Sequence, residues 1–171
     1  EEITNPKDLT LQDAQALATS SRAREIAYVA PVFNSSSDIS YLDNNIKTSI
    51  LGTTSDYEFV QNLTIEEGIF ITDQQVEGRS AVVVLGPEIA RSLFGKSGGV
   101  VGNSVRIGGY PYRVIGVTEA KGGSAFNNPD NNVYIPISTA QVRLPRGGSP
   151  NRVQNILVSV AKAEDADLAI E

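Results

Sequence analysis

The chain has 171 residues, of which 40% are hydrophobic and 20% charged, with a net charge of −6. This is the balance of a folded chain rather than a disordered one. The negative charge speaks against nucleic-acid binding, which needs clustered Lys and Arg to neutralise phosphates. Cysteine and histidine are both absent, which excludes disulfides, thiol catalysis, thiolate metal sites and the commonest general base. The lack of cysteine leaves the compartment open. No apolar stretch approaches the roughly 18–20 residues that a membrane helix needs.

Taken in order, Glu1 to Asp8 is polar and reads as extended or frayed. Thr10-Leu11-Gln12-Asp13 is a variant capping box, and Leu11, Ala14, Leu17 and Ala18 mark one face of a helix ending near Ser20-Ser21. Ile26 to Phe33 reads as a strand, Asn34 to Asp38 as a turn, and Ile39 to Leu42 and Ile46 to Leu51 as two further strands. Tyr57, Phe59 and Val60 start a short helical or irregular segment, and Asp73 to Arg79 reads as a polar loop. The central block runs from Ser80 to Val117. Ala81-Val82-Val83-Val84-Leu85 is a buried strand closed by Gly86-Pro87. A helix follows with Ile89, Ala90, Leu93 and Phe94 on one face and Gly95 as its stop, so that Phe94 is expected under the central strand. Gly108-Gly109 then joins Ser104–Ile107 to Tyr110–Val117 as a hairpin. Glu119 to Asn132 is rich in turn residues, and Val133 to Ile137 returns as a strand. Ser138 is placed to cap a helix over Thr139 to Leu144, which Pro145 stops. Arg146 to Pro150 has the composition of a linker, Val153 to Val160 alternates as a strand, and the chain ends within a running helix. No internal repeat is evident.

Four strings invite a chemical reading. Gly95-Lys96-Ser97 suggests a phosphate loop, but Ala90 stands where the first glycine is needed. The loop also follows a helix instead of preceding one, so the helix dipole has the wrong sign. Gly95-Lys96-Ser97-Gly98-Gly99 fits G-x-S-x-G literally without a strand-to-helix turn or a histidine. Asn128, Asp130 and Asn132 alternate as in a calcium loop. Val133 and Thr139 replace the required glycine and glutamate, which leaves at most a weak cation site or a turn cluster. Glu66-Glu67, Asp73 and Glu119 could supply a hydrolytic carboxylate pair, although surface charge is the simpler account.

The strings VVVLGPEIARSLFG and VGNSVRIGGYPYRVIGV, with Asn132-Val133-Tyr134-Ile135-Pro136-Ile137, resemble the extracytoplasmic (periplasmic core) domain of MacB-type, FtsX-like ABC transporter permeases. Leu51-Gly52-Thr53-Thr54 matches that family's V-x-G-T turn. Ile69, in Glu67-Gly68-Ile69-Phe70, stands where the family usually carries the arginine of Gly-Arg-Phe-Phe. The resemblance spans about Leu9 to Val160 and implies an α+β fold in two lobes. Residues 1–63 plus 150–171 would form a porter-like βαβ lobe, and residues 64–149 an inserted, mostly-β Sabre-like lobe. On this reading Val153 to Val160 pairs with a strand from Ile26 to Leu51, not with the Ser104 to Val117 hairpin.

The function implied is non-enzymatic, with no catalytic, cofactor or metal residue. The chain would be the extracytoplasmic domain of a permease that couples cytoplasmic ATP hydrolysis to movement outside the membrane, acting on peptide, lipoprotein, toxin or antibiotic cargo. The partners implied are an ABC ATPase domain or subunit, a second permease copy and a periplasmic adaptor (membrane fusion) protein, with no nucleic acid. The chain alone is expected to be a monomer. Its Glu1-Glu2 start, its lack of methionine and its open-ended final helix read as a piece taken from between two membrane helices, or as a processed secreted protein. A secreted or cell-surface binding module and a carboxylate-dependent hydrolase are the alternatives.

Overall fold

The computed structural model describes residues 26–122, 128–144 and 155–160. The expected helix ending near Ser20-Ser21, the Arg146 to Pro150 linker and the final helix lie outside them. Eight strands and four α-helices lie among the described residues. They are β1 (Ile26–Tyr41), β2 (Asn44–Thr53), α1 (Tyr57–Val60), β3 (Ile65–Gly68), α2 (Asp73–Glu77), β4 (Val82–Leu85), α3 (Pro87–Phe94), β5 (Ser104–Ile107), β6 (Tyr110–Thr118), β7 (Asn132–Pro136), α4 (Ile137–Arg143) and β8 (Asn155–Val160). The result is a mixed α/β fold dominated by one sheet, in the order β2-β7-β4-β6-β5-β1-β8, with β3 added alongside β6. Because β1 also pairs with β2, the ladder β2-β7-β4-β6-β5-β1 closes on itself.

Strand β1 runs through the whole arrangement. Its first half pairs antiparallel with β8, from Ile26 against Val160 to Val32 against Asn155, as expected for the returning strand. Its second half pairs with β2 from Phe33 to Tyr41 and touches β5 through Ile39 and Ser40. The turn expected over Asn34 to Asp38 is therefore absent, because every residue there has a cross-strand partner on β2. Composition pointed to a turn since three serines and an aspartate rank low as strand formers. Here they sit on half-buried or exposed positions, where the ladder overrides so weak a preference.

Side chains alternate between two apolar cores, as the pleat requires. Val83 and Leu85 of β4, Ile50 of β2, and Val133 and Ile135 of β7 enter the larger core with Ile89, Ala90 and Leu93 of α3. Val84, Leu51 and Tyr134, one position along on the same strands, enter the second core with Ala30, Val32, Tyr57, Leu63, Phe70 and Ile71. Helix α3 begins at Pro87 and ends on Gly95, which is left-handed at φ 74° and donates to the Arg91 carbonyl at 2.8 Å. The β5–β6 turn places Gly108 and Gly109 at φ 57° and 88°, as its sequence demands. Phe94 differs from expectation. Leu93 takes the fully buried position, while Phe94 is half-buried and packs its ring 4.1 Å from that of Tyr41. Both residues were placed on one face, but a 100° step per residue turns Phe94 toward the tip of the β1–β2 hairpin.

Two local assignments change. Asp73 to Glu77 is a helix, started by a capping box in which the Gln75 amide donates to Thr72 Oγ1 at 3.3 Å and the Thr72 amide to Gln75 Oε1 at 3.0 Å. Ser138 does not cap its helix. Helix α4 begins at Ile137 with Pro136 as its N-cap, and the Ser138 hydroxyl donates instead to the Val76 carbonyl. Together with Thr139 Oγ1 donating to the Ser80 carbonyl at 2.9 Å, it ties α4 to the α2 region. On its other side α4 lies against β2 at Gly52, where a β-carbon would come within 2.5 Å of Ala140 Cβ. The neighbouring Thr53 is fully buried and donates its hydroxyl to the Pro31 carbonyl at 2.9 Å. The Gly-Thr pair thus has a packing role: the glycine admits the helix and the threonine ties β2 to β1.

Candidate interaction site

The second core is covered on its outer side by α1 and by the stretch after β3, and a cleft of about 470 Å³ opens between them. Its walls include Ser55, Glu58, Ile65, Gly68, Ile69, Phe70, Ile71, Thr72 and Asp73. Gly68 shapes it, turning the chain at φ 75° with its α-carbon so close to β6 that a β-carbon would meet the Ile115 carbonyl at 2.0 Å. The Ile69 amide then donates to that carbonyl at 3.0 Å. Phe70 and Ile71 point into the core, where Phe70, Tyr57 and Tyr134 pack ring against ring at centroid separations of 5.4–6.4 Å. Ile69 is left 53% exposed at the cleft, and Phe59 of α1, also 53% exposed, stacks on Tyr28 at 4.8 Å.

Carboxylates gather at this opening. The Ser55 hydroxyl donates to Asp73 Oδ1. Partial burial pushes the Asp56 carboxyl above its ordinary range, and the Asp73 charge adds to the effect. Burial also pushes up Glu58. Among the described residues no lysine or arginine lines the cleft, and Glu88–Arg91, on α3, is the one ion pair.

The strings singled out in the sequence fall elsewhere. The Gly95-Lys96-Ser97 loop leaves the negative end of α3, and its later amides are already taken. Gly99 and Val101 donate to the two Glu67 carboxylate oxygens at 2.8 and 3.4 Å. Glu67 is therefore a structural anchor for the end of this loop. Asp130 is buried rather than a surface cation ligand. Its oxygens accept from the Lys121 and Gly122 amides at 2.8 and 3.0 Å, while Asn128 Oδ1 accepts from the Asp130 amide at 3.0 Å. No three metal-binding side chains gather among the described residues. Glu66 and Glu119 are exposed. Of the carboxylates named from sequence only Asp73 belongs to the cleft. Its companions Asp56 and Glu58 carried no signal beyond lying near Tyr57, since chain distance does not show which segments fold together.

The cleft thus sets an apolar floor beneath carboxylates that form no ion pair among the described residues, on a sheet-dominated scaffold. The chain belongs to the family of MacB-like periplasmic core domains, which it matches over residues 2–171. It is 33% identical over 137 residues to the macrolide export ATP-binding/permease protein MacB of Hyphomonas neptunium, covering 80% of this chain and 21% of that protein. The MacB of Acinetobacter baylyi is 30% identical over 156 residues, covering 91% and 23%. The pyoverdine export ATP-binding/permease protein PvdT of Pseudomonas entomophila is 24% identical over 164 residues, covering 95% and 25%. The chain thus spans about a fifth to a quarter of the length of these relatives. Two crystal structures share its fold. They are the periplasmic region of MacB from Actinobacillus actinomycetemcomitans (TM-score 0.75, 24% identity, 96% of this chain and 72% of that one) and the extracellular domain of the ABC-type transporter YknZ (TM-score 0.74, 22% identity, 96% and 79%). No helix among the described residues is long and apolar enough to cross a membrane.

Proposed function

We propose that this chain is the extracytoplasmic domain of a MacB-type ABC transporter permease, and that it converts ATP-driven closure inside the cell into movement outside it. The observation that carries this reading is the family match over residues 2–171. The reaction that supplies the work lies in a separate ATPase domain or subunit. Two permease copies form the working unit, an adaptor protein docks outside, and the cargo is a peptide, lipoprotein, toxin or antibiotic. Two lobes belong to the same proposal: residues 1–63 with 150–171, and the inserted residues 64–149. The return of β8 to the first half of β1 supports the discontinuous lobe. Ile39 and Ser40 of β1 pair with β5, and Ser49 to Thr53 of β2 pair with β7, so the two lobes would meet along a continuous sheet.

This chain has no cysteine, so one introduced here can be followed against the unsubstituted parent protein as control. In cells expressing the parent protein with Ser36→Cys, at an exposed site on β1, a membrane-impermeant maleimide added from outside should label the domain. Labelling only after the inner membrane is broken would refute an extracytoplasmic location. Membrane helices are expected on both sides of the domain in the parent gene, and their absence would favour a free-standing binding module.

A further inference from the structure

We propose that the cleft between α1 and residues 65–73 is a docking groove for an extended segment of a partner protein in which a lysine or arginine lies among aliphatic side chains. This inference does not depend on the transport reading. The groove offers apolar contact through the half-buried Ile65 and the exposed Ile69, with Glu58 and Asp73 among its walls. Covering it with a purely apolar or acidic segment would strand those carboxylates away from water with no countercharge, which is strongly unfavourable. A basic side chain supplies the countercharge, and its long methylene stem can lie along the isoleucines. The groove is wide open rather than enclosed, which suits side chains held out by another backbone better than a small molecule that must be surrounded. Anionic phosphates, whether of lipid or nucleic acid, would meet the same repulsion as an acidic peptide.

The test uses the 171-residue chain and two fluorescent peptides, one alternating lysine with leucine and valine, the other its glutamate-for-lysine twin. Fluorescence anisotropy should show binding of the first and none of the second. Glu58→Lys and Asp73→Lys should each weaken binding roughly tenfold, as like charges placed together do. Glu88→Lys, on α3, should change it less than about twofold. Raising ionic strength from about 0.01 to 0.15 M shortens the screening length from roughly 30 to 8 Å and should weaken binding several-fold. Circular dichroism checks the fold of each variant. Should Asp73→Lys unfold, Glu58→Gln stands in, with an expected loss of a few-fold.

Failure of the lysine peptide to bind would overturn the proposal. Equal binding of both peptides would overturn it by making the groove purely apolar. Equal losses at Glu88 and Glu58 would reduce it to general electrostatic attraction. Self-association of the chain that Ile69→Ser abolishes would assign the groove to a second copy and refute the partner proposed.

Discussion

Gly52 lets helix α4 lie close against β2, and replacing it with alanine makes a sharp test of the packing. A β-carbon there would lie 2.5 Å from Ala140 Cβ and 3.3 Å from Ile137 Cα, where carbon atoms prefer about 3.5–4.0 Å. The backbone at Gly52 is not left-handed, so alanine suffers no conformational strain and gains about 0.4–1 kcal/mol by restricting the unfolded chain. Against that gain stands an overpacking cost of about 1–3 kcal/mol, since α4 is also held on its far side by Ser138 and Thr139. The net loss should be about 1–2 kcal/mol, or a fall in Tm of about 2–8 °C for a domain of this size. Ala140→Gly removes the colliding methyl and by itself costs about 1 kcal/mol as a helix glycine. Combined with Gly52→Ala it should recover at least about 1 kcal/mol relative to the summed single losses. Urea unfolding of the four proteins, followed by circular dichroism, measures this coupling. Strictly additive losses, or a Gly52→Ala variant as stable as its parent, would refute the reasoning.

Leu93→Ala should destabilise by about 2–5 kcal/mol as a fully buried truncation. Phe94→Ala should cost less than about 2 kcal/mol because the ring is only half-buried against Tyr41; the reverse order in thermal melts would mean that α3 is rotated. Asp56 has a folded-state pKa above its unfolded one, so its ionised form opposes folding once the pH exceeds the folded value, and that opposition disappears below the unfolded value. Asp56→Asn should therefore raise Tm at neutral pH, with the gain fading as the solution is acidified through the carboxyl range. A gain that grows in acid would contradict this sign. In solution at tens of micromolar (about 10⁻⁵ M), the isolated chain should scatter light as a single copy of 18.2 kDa, because in the proposed permease dimer tethering in a membrane would raise local concentration to about millimolar and make a tight outer interface unnecessary. A dimer that survives dilution would argue for a free-standing module.

The central block was legible because its signals are local. A run of β-formers, a proline entering and a glycine leaving a helix, and Gly-Gly between alternating strands each fix their own geometry, and β4, α3, β5 and β6 appear where those residues place them. Helix α2 was equally local, and its capping box at Thr72 and Gln75 was present to be read. Its polar composition outweighed that signal. The serines of β1 were a different failure, since only the facing strand β2 tells them to extend. The cleft was the least legible feature. Glu58 and Asp73 lie fifteen positions apart in the chain and come together only because Gly68 turns the chain against β6 and α1 folds back over the second core. The resemblance placed Ile69 at a site usually held by arginine; its exposure at the cleft could be seen only in three dimensions.

Strand β1 has a mechanical consequence. Its 16 residues reach roughly 50 Å at about 3.3 Å each, without a break between the half that pairs with β8 and the half that pairs with β2. The ladder with β8 ends at Val32 and the one with β2 begins at Phe33 without a gap, and the Thr53 hydroxyl ties across that junction to the Pro31 carbonyl, so the extended strand is held as a strut instead of a joint. A push delivered where β8 grips it would arrive at the Leu42 tip of the hairpin, beyond Tyr41, as displacement, with little of the stroke absorbed along the way. Inserting a residue near Phe33, between the two halves, would soften that strut while leaving both ends folded, and so would separate the stiffness of this domain from its shape.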